Sequence, residues 1–76
     1  MNIRVQCHAG YKADQRPVRF QLGNRDYVVE EIVDRWYGPD DVFFKVSTDD
    51  GNVYILRLHA SSDQWTLESF RQSGGV

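Results

Sequence analysis

The sequence predicts an all-β fold, a small antiparallel meander curled into a roll or open barrel of five or six strands. Three observations carry that expectation. Apolar and polar residues alternate along successive short runs, the two-residue period of a half-buried strand. Turn-forming sequences separate the runs, above all Gly23-Asn24 and Asp49-Asp50-Gly51-Asn52. Finally, a sheet of this size with one apolar face must curl on itself to bury that face, since no clear amphipathic helix is at hand to cover it.

The first strand comes from Ile3, Val5 and Cys7, which alternate with Asn2, Arg4 and Gln6, and Gly10 to Gln15 read as a polar loop around Tyr11. Val18, Phe20 and Leu22 alternate with Arg19 and Gln21, and Pro17 sits at the strand entrance, where its missing N–H is tolerated. Gly23-Asn24 carries the signal of a two-residue type II′ hairpin.

The segment DYVVEEIVDRWYG admits two readings. Val28 or Val29 with Ile32, Val33 and Trp36 would suit a helical stripe over about 28–36, capped by Asp26 and ended by Gly38-Pro39, which would make the fold α+β. Its valines, isoleucine, tyrosines and tryptophan favour a strand instead. A β-bulge at Glu30-Glu31 would then place Tyr27, Val29, Ile32 and Trp36 on one face. The long bent strand is the reading adopted.

Gly38-Pro39-Asp40-Asp41 is a turn, and Val42, Phe44, Val46 and Thr48 alternate with Phe43, Lys45 and Ser47. Beyond the Asp-Gly hairpin, Val53 to Leu58 is the most continuously apolar stretch and is expected as a central strand covered on both sides. Ser61-Ser62-Asp63 is the last turn and Trp65 to Phe70 the last strand. Residues 1–71 therefore read as a single domain, with a Gly- and Ser-rich tail over 72–76.

Composition narrows the function classes. Nine Lys and Arg against eleven Asp and Glu leave a net charge of −2, without the strong positive field that gathers nucleic acid or anionic lipid. No apolar run approaches membrane-spanning length, and MNIRVQCHAG lacks the apolar stretch of a signal peptide. One cysteine makes no internal disulfide, so a reducing cytoplasm is the expected location.

Several segments, taken in order, resemble a family of short bacterial cytoplasmic proteins of unknown function. They are CHAGY at 7–11, RPVRFQLG at 16–23, VEEIVDRWYGPD at 29–40, FFKV at 43–46, DDGNVYILR at 49–57 and D-x-W-x-L at 63–67. The resemblance spans nearly the whole chain, with D-R-W-Y-G-P-D followed by D-D-G-N-x-Y-I-L-R as its most specific part. It implies a single-domain cytoplasmic protein and brings no catalytic residues with it.

The chemistry-bearing residues are few. Cys7, His8, His59 and Asp63 are the candidate metal ligands, but no C-x-x-C or H-x-x-x-H spacing is present, and no metal or cofactor is expected. Adjacent strand residues point to opposite faces, so Cys7 and His8 are poorly placed to act together as nucleophile and base. Asp40-Asp41 and Asp49-Asp50 sit in turns, where carboxylates ordinarily cap backbone N–H groups, and Glu30-Glu31 would serve as acid and base only inside a pocket. Gly74-Gly75-Val76 invites a ubiquitin-like reading, which would need the helical version of 28–36.

The aromatic and arginine residues make a stronger set. Tyr11, Trp36, Tyr37, Phe43, Tyr54 and Trp65 are large rings, and Arg16, Arg19, Arg35 and Arg57 lie on strands or their edges. If Phe20, Phe44 and Val46 point inward, an outer face carrying Arg19, Phe43, Tyr54 and Arg57 resembles a recognition surface, since aromatics and Arg dominate binding hot spots. The expectation is a non-enzymatic binding module for a protein segment. A small ligand- or metal-binding protein or enzyme built on Cys7, His8 or His59, and a self-associating structural subunit, are the alternatives; nucleic acid is a disfavoured partner and a membrane is not expected.

Overall fold

The computed structural model describes residues 2–7 and 16–71, the last two as backbone alone. His8, Tyr11, the loop expected over Gly10 to Gln15 and the tail from Gln72 with its Gly74-Gly75-Val76 lie outside the described residues. The strands are β1 (Asn2–Cys7), β2 (Pro17–Leu22), β3 (Arg25–Tyr37), β4 (Asp41–Thr48), β5 (Val53–His59) and β6 (Gln64–Arg71). Each runs antiparallel to the one before it. β6 returns to β1 through Asn2↔Thr66 and Ile3↔Trp65, which closes the barrel in simple sequence order. Closure removes the exposed edges that an open meander would present. No described residue is helical, so 28–36 is strand and the α+β alternative fails.

The hairpin loops obey local stereochemistry. Leu22 pairs with Arg25 directly across Gly23-Asn24, and Gly23 takes φ +63°. Gly51, in the β4–β5 turn, takes φ +81°. Both values lie where a Cβ is penalised, which is why glycine stands there.

β3 carries two register shifts against β4, one between Val29 and Glu31 and one between Ile32 and Asp34. The first is the bulge read from the sequence, with Glu30 as the extra residue. It leaves Tyr27 buried and Val29 and Ile32 half-buried against the core. The second, at Val33, reverses the parity again, because each inserted residue sends all later side chains to the other face. Trp36 therefore pairs with Phe43 and stands on the outer face, 38 % exposed, instead of sharing the inner face with Tyr27.

The core collects the inward residues of every strand: Ile3, Phe20, Tyr27, Phe44, Val46, Tyr54, Leu56, Leu58 and Trp65. Tyr54 is the main correction to the predicted surface, for it is 3 % exposed and its ring lies 5.2 Å from those of both Phe20 and Tyr27. Tyr54 and Arg57 are three positions apart, and in an unbroken strand an odd separation puts them on opposite faces. Arg57 is outside, so Val53 and Ile55 are outside with it and Tyr54 turns inward. β5 is central between β4 and β6, but its outward residues Val53, Ile55, Arg57 and His59 are only half-buried. The expected cover on both sides is thus confined to one, among the described residues.

The β4–β5 turn is tied to the core from below. Asp50 accepts hydrogen bonds from the Thr48 hydroxyl, from the Tyr54 phenol at 2.9 Å, and from the Asn52 side-chain and backbone nitrogens at 2.9 and 3.2 Å. Asp49 bonds the Val28 backbone, with its N–H donating to Val28 O at 3.0 Å and its Oδ1 accepting from Val28 N at 3.2 Å. Burial opposes ionisation of Asp50, but the bonds from Thr48, Tyr54 and Asn52 outweigh it and hold the carboxyl below its ordinary value. Burial, and then donation to Asp50, pushes the Tyr54 phenol up, so it stays neutral at working pH.

Both the core and this turn yield expectations for stability. Leu56 is fully buried, and Leu56→Ala costs about 2–5 kcal/mol in urea denaturation. Asp50→Ala removes the carboxylate acceptor of the buried Tyr54 hydroxyl and costs about 1–3 kcal/mol. A carboxyl whose folded pKa is depressed stabilises above its unfolded value, about 4, and loses that contribution as pH falls through the folded one. The gap between wild type and Asp50→Ala therefore narrows in acid, and a gap independent of pH would contradict this account of the turn.

Candidate functional site

β4 presents Asp41, Phe43, Lys45 and Ser47 outward, and β5 answers with His59, Arg57, Ile55 and Val53 in register. The second bulge of β3 adds Trp36 beside Phe43 and Asp34 beside Lys45. The Trp36 and Phe43 rings are stacked with centroids 5.4 Å apart and planes 5° from parallel. The Arg57 guanidinium lies 5.5 Å from the Phe43 centroid, reaching it from β5 on the other side of β4. A row of flat groups, indole, phenyl and guanidinium, thus crosses three strands, joined by stacking and cation–π attraction.

Arg57 is held by two acids. Its Nη2 is 2.6 Å from Asp41 Oδ2 and its Nη1 is 3.0 Å from Glu68 Oε1. Glu68 reaches this face by plain alternation, two residues after Thr66, which pairs with Arg57. Hydrogen bonds donated to Asp41 and then to Glu68 push the guanidinium pKa up. Asp41 also meets His59 Nδ1 at 3.3 Å, and His59 Nε2 lies 3.2 Å from the Thr66 hydroxyl. These contacts fix Arg57 as a brace for Phe43 and neutralise its charge in place.

Below this row lies a depression of about 250 Å³ lined by Asp34, Trp36, Lys45, Val53, Ile55 and Ser69. Its floor is aliphatic, one wall is the indole, and Asp34 and Lys45 are cross-strand partners on its rim. Tyr37, 70 % exposed at the end of β3, pairs with Val42 and so has the opposite parity to Trp36.

Of the four residues expected to form the site, the fold brings together Phe43 and Arg57. Tyr54 is in the core. Arg19 is on β2, which borders β1 and β3, so it belongs to a different part of the wall. The residues missed are Trp36 and Ile55. Ile55 was readable, because its even spacing from Arg57 puts both on one face. Trp36 was not, because a bulge at Val33 leaves no turn-forming mark in the sequence.

Among the described residues, Cys7 and His59 are not brought together into one centre. His8 is outside the described residues, and His59 is engaged by Asp41 and Thr66. Among the described residues no group of three or more His, Cys, Asp or Glu could hold a metal ion. The turn acids Asp49 and Asp50 are engaged as above, and the main-chain carbonyl of Asp40 accepts from Ala60 N at 3.0 Å. Glu30 and Glu31 are exposed. No described helix is long and apolar enough to cross a membrane.

Cys7 is half-buried, and burial, then the charge of Asp63, pushes its thiol pKa up. The thiolate is the reactive form, so Cys7 in the folded protein reacts with a disulfide reagent at neutral pH several-fold more slowly than in the urea-unfolded chain. Equal rates in the two states would contradict the burial argument. No known protein family, curated protein or solved structure matches this chain.

Proposed function

We propose that this protein is a non-enzymatic binding module that docks an uncharged, apolar protein segment on the outer face of β3, β4 and β5. The observation that carries the reading is the row of Trp36, Phe43 and Arg57, in which the one cation is already neutralised by Asp41 and Glu68. An ionic ligand gains little from such a surface. A neutral segment gains by burying the indole, the phenyl ring and the floor of Val53 and Ile55, at about 25 cal/mol per Å² of apolar surface removed from water. The rings are held by cross-strand stacking before any partner arrives, which lowers the ordering cost of binding. The lone thiol suits a reducing compartment, so the proposed place of action is the cytoplasm.

The test is capture from a cell lysate by the intact protein, compared with Trp36→Ala and Ile55→Lys. Both positions lie on the outer face, outside the core, so both variants stay folded. Each loses about 2 kcal/mol of affinity, roughly thirtyfold, as expected at a hot spot. Undiminished capture by both folded variants overturns the assignment of the face. A wild-type sedimentation mass of twice 8.9 kDa that falls to the monomer in the variants overturns the foreign-segment reading in favour of self-pairing.

A further inference from the structure

The opposite wall of the barrel carries a second surface of different chemistry. Arg4, Gln6, Arg19 and Gln21 face outward on β1 and β2 and line an open depression of about 450 Å³. In register, Arg4 opposes Gln21 and Gln6 opposes Arg19, so the two guanidiniums are diagonal neighbours. Among the described residues neither has a carboxylate or hydrogen-bond partner. Asp26, which opposes Gln21 on β3, borders the depression without reaching either arginine. Arg57 shows what this chain does with a cation that serves the fold, since it is clasped by two acids. With eleven acidic against nine basic residues, acids to neutralise Arg4 and Arg19 are not in short supply. Yet the two like charges stand together and are flanked by amides that both donate and accept hydrogen bonds.

We propose that this patch binds an acid-rich, extended peptide segment, its carboxylates paired with Arg4 and Arg19 and its backbone met by Gln6 and Gln21. The spacing supports the match. Diagonal cross-strand neighbours lie about 7–8 Å apart. Side chains two residues apart in an extended peptide are separated by roughly 6.5–7 Å and point the same way. Acids at alternate positions thus face both guanidiniums at once. Val28, 38 % exposed beside Arg19, offers an apolar contact for the segment. Asp26 repels an anion and directs the carboxylates toward the arginines. A nucleic-acid strand suits the patch less well: among the described residues no large exposed aromatic stands on this wall to stack a base.

The test is an NMR titration of the intact protein with a synthetic peptide of alternating glutamate and valine. Expected are shifts confined to Arg4, Gln6, Arg19, Gln21 and their neighbours, and affinity that falls as salt rises. Arg4→Gln and Arg19→Gln each weaken binding about fivefold, the size expected for one exposed ion pair. The matching glutamine–valine peptide does not bind. Trp36→Ala leaves this titration unchanged, so the two faces are tested separately. The proposal is overturned if the folded arginine variants bind as wild type does or the perturbed resonances lie elsewhere. It is equally overturned if an oligothymidine or inorganic phosphate occupies the same residues more tightly than the peptide.

Discussion

The structure turns on the two extra residues in β3. A strand of this length cannot pair with β2 at one end and β4 along the rest while remaining straight. Each bulge bends it and adds twist, and together they carry the sheet around the core so that β6 meets β1. Each also reverses the facing of every later side chain in the strand. Glu30 keeps Ile32 inside, and Val33 then sends Trp36 outside. The same device that closes the barrel therefore builds its aromatic surface, and the two cannot be altered independently.

That surface is pre-organised by cross-strand contacts. Trp36, Phe43 and Arg57 come from three successive strands, and each is held by its neighbour. Asp41 and Glu68 anchor the guanidinium, Glu68 from the same outer face of β6 as Thr66, which pairs with Arg57. A bulge in β3 supplies one end of the row and plain alternation the other. To solvent the row shows rings and aliphatic carbon, with the charge of Arg57 answered from within.

The two walls of this small barrel divide the polar chemistry. One neutralises its arginine and offers apolar area; the other leaves two guanidiniums beside glutamines. The core holds both in place through Phe20, Tyr27 and Tyr54, whose rings lie 5.1 to 5.2 Å apart. Tyr54 passes that order to the β4–β5 turn through Asp50, and Asp49 passes it on to β3. A buried phenol with a satisfied hydroxyl therefore connects the interior to the hairpin, which is a reason for tyrosine rather than phenylalanine at this position.

The strands, their turns and the barrel were legible in the sequence, because they rest on local rules. Alternation marks a strand, glycine at positive φ marks a tight hairpin, and a face that cannot stay in water must curl. The bulge at Glu30 was legible as well, since without it Val29 and Ile32 cannot share a face. The functional surface was only partly so. Phe43 and Arg57 follow from alternation within one strand. Tyr54 was misplaced because β5 is apolar at both parities from Val53 to Leu56, and only Arg57, out of phase with Tyr54, decides the direction. Trp36 depended on an inserted residue without a mark of its own. Which residues a strand contains is written locally, but which side each one faces depends on its register with neighbours far away in the chain. That register is set by the closure of the whole barrel, and only the tertiary structure decides it.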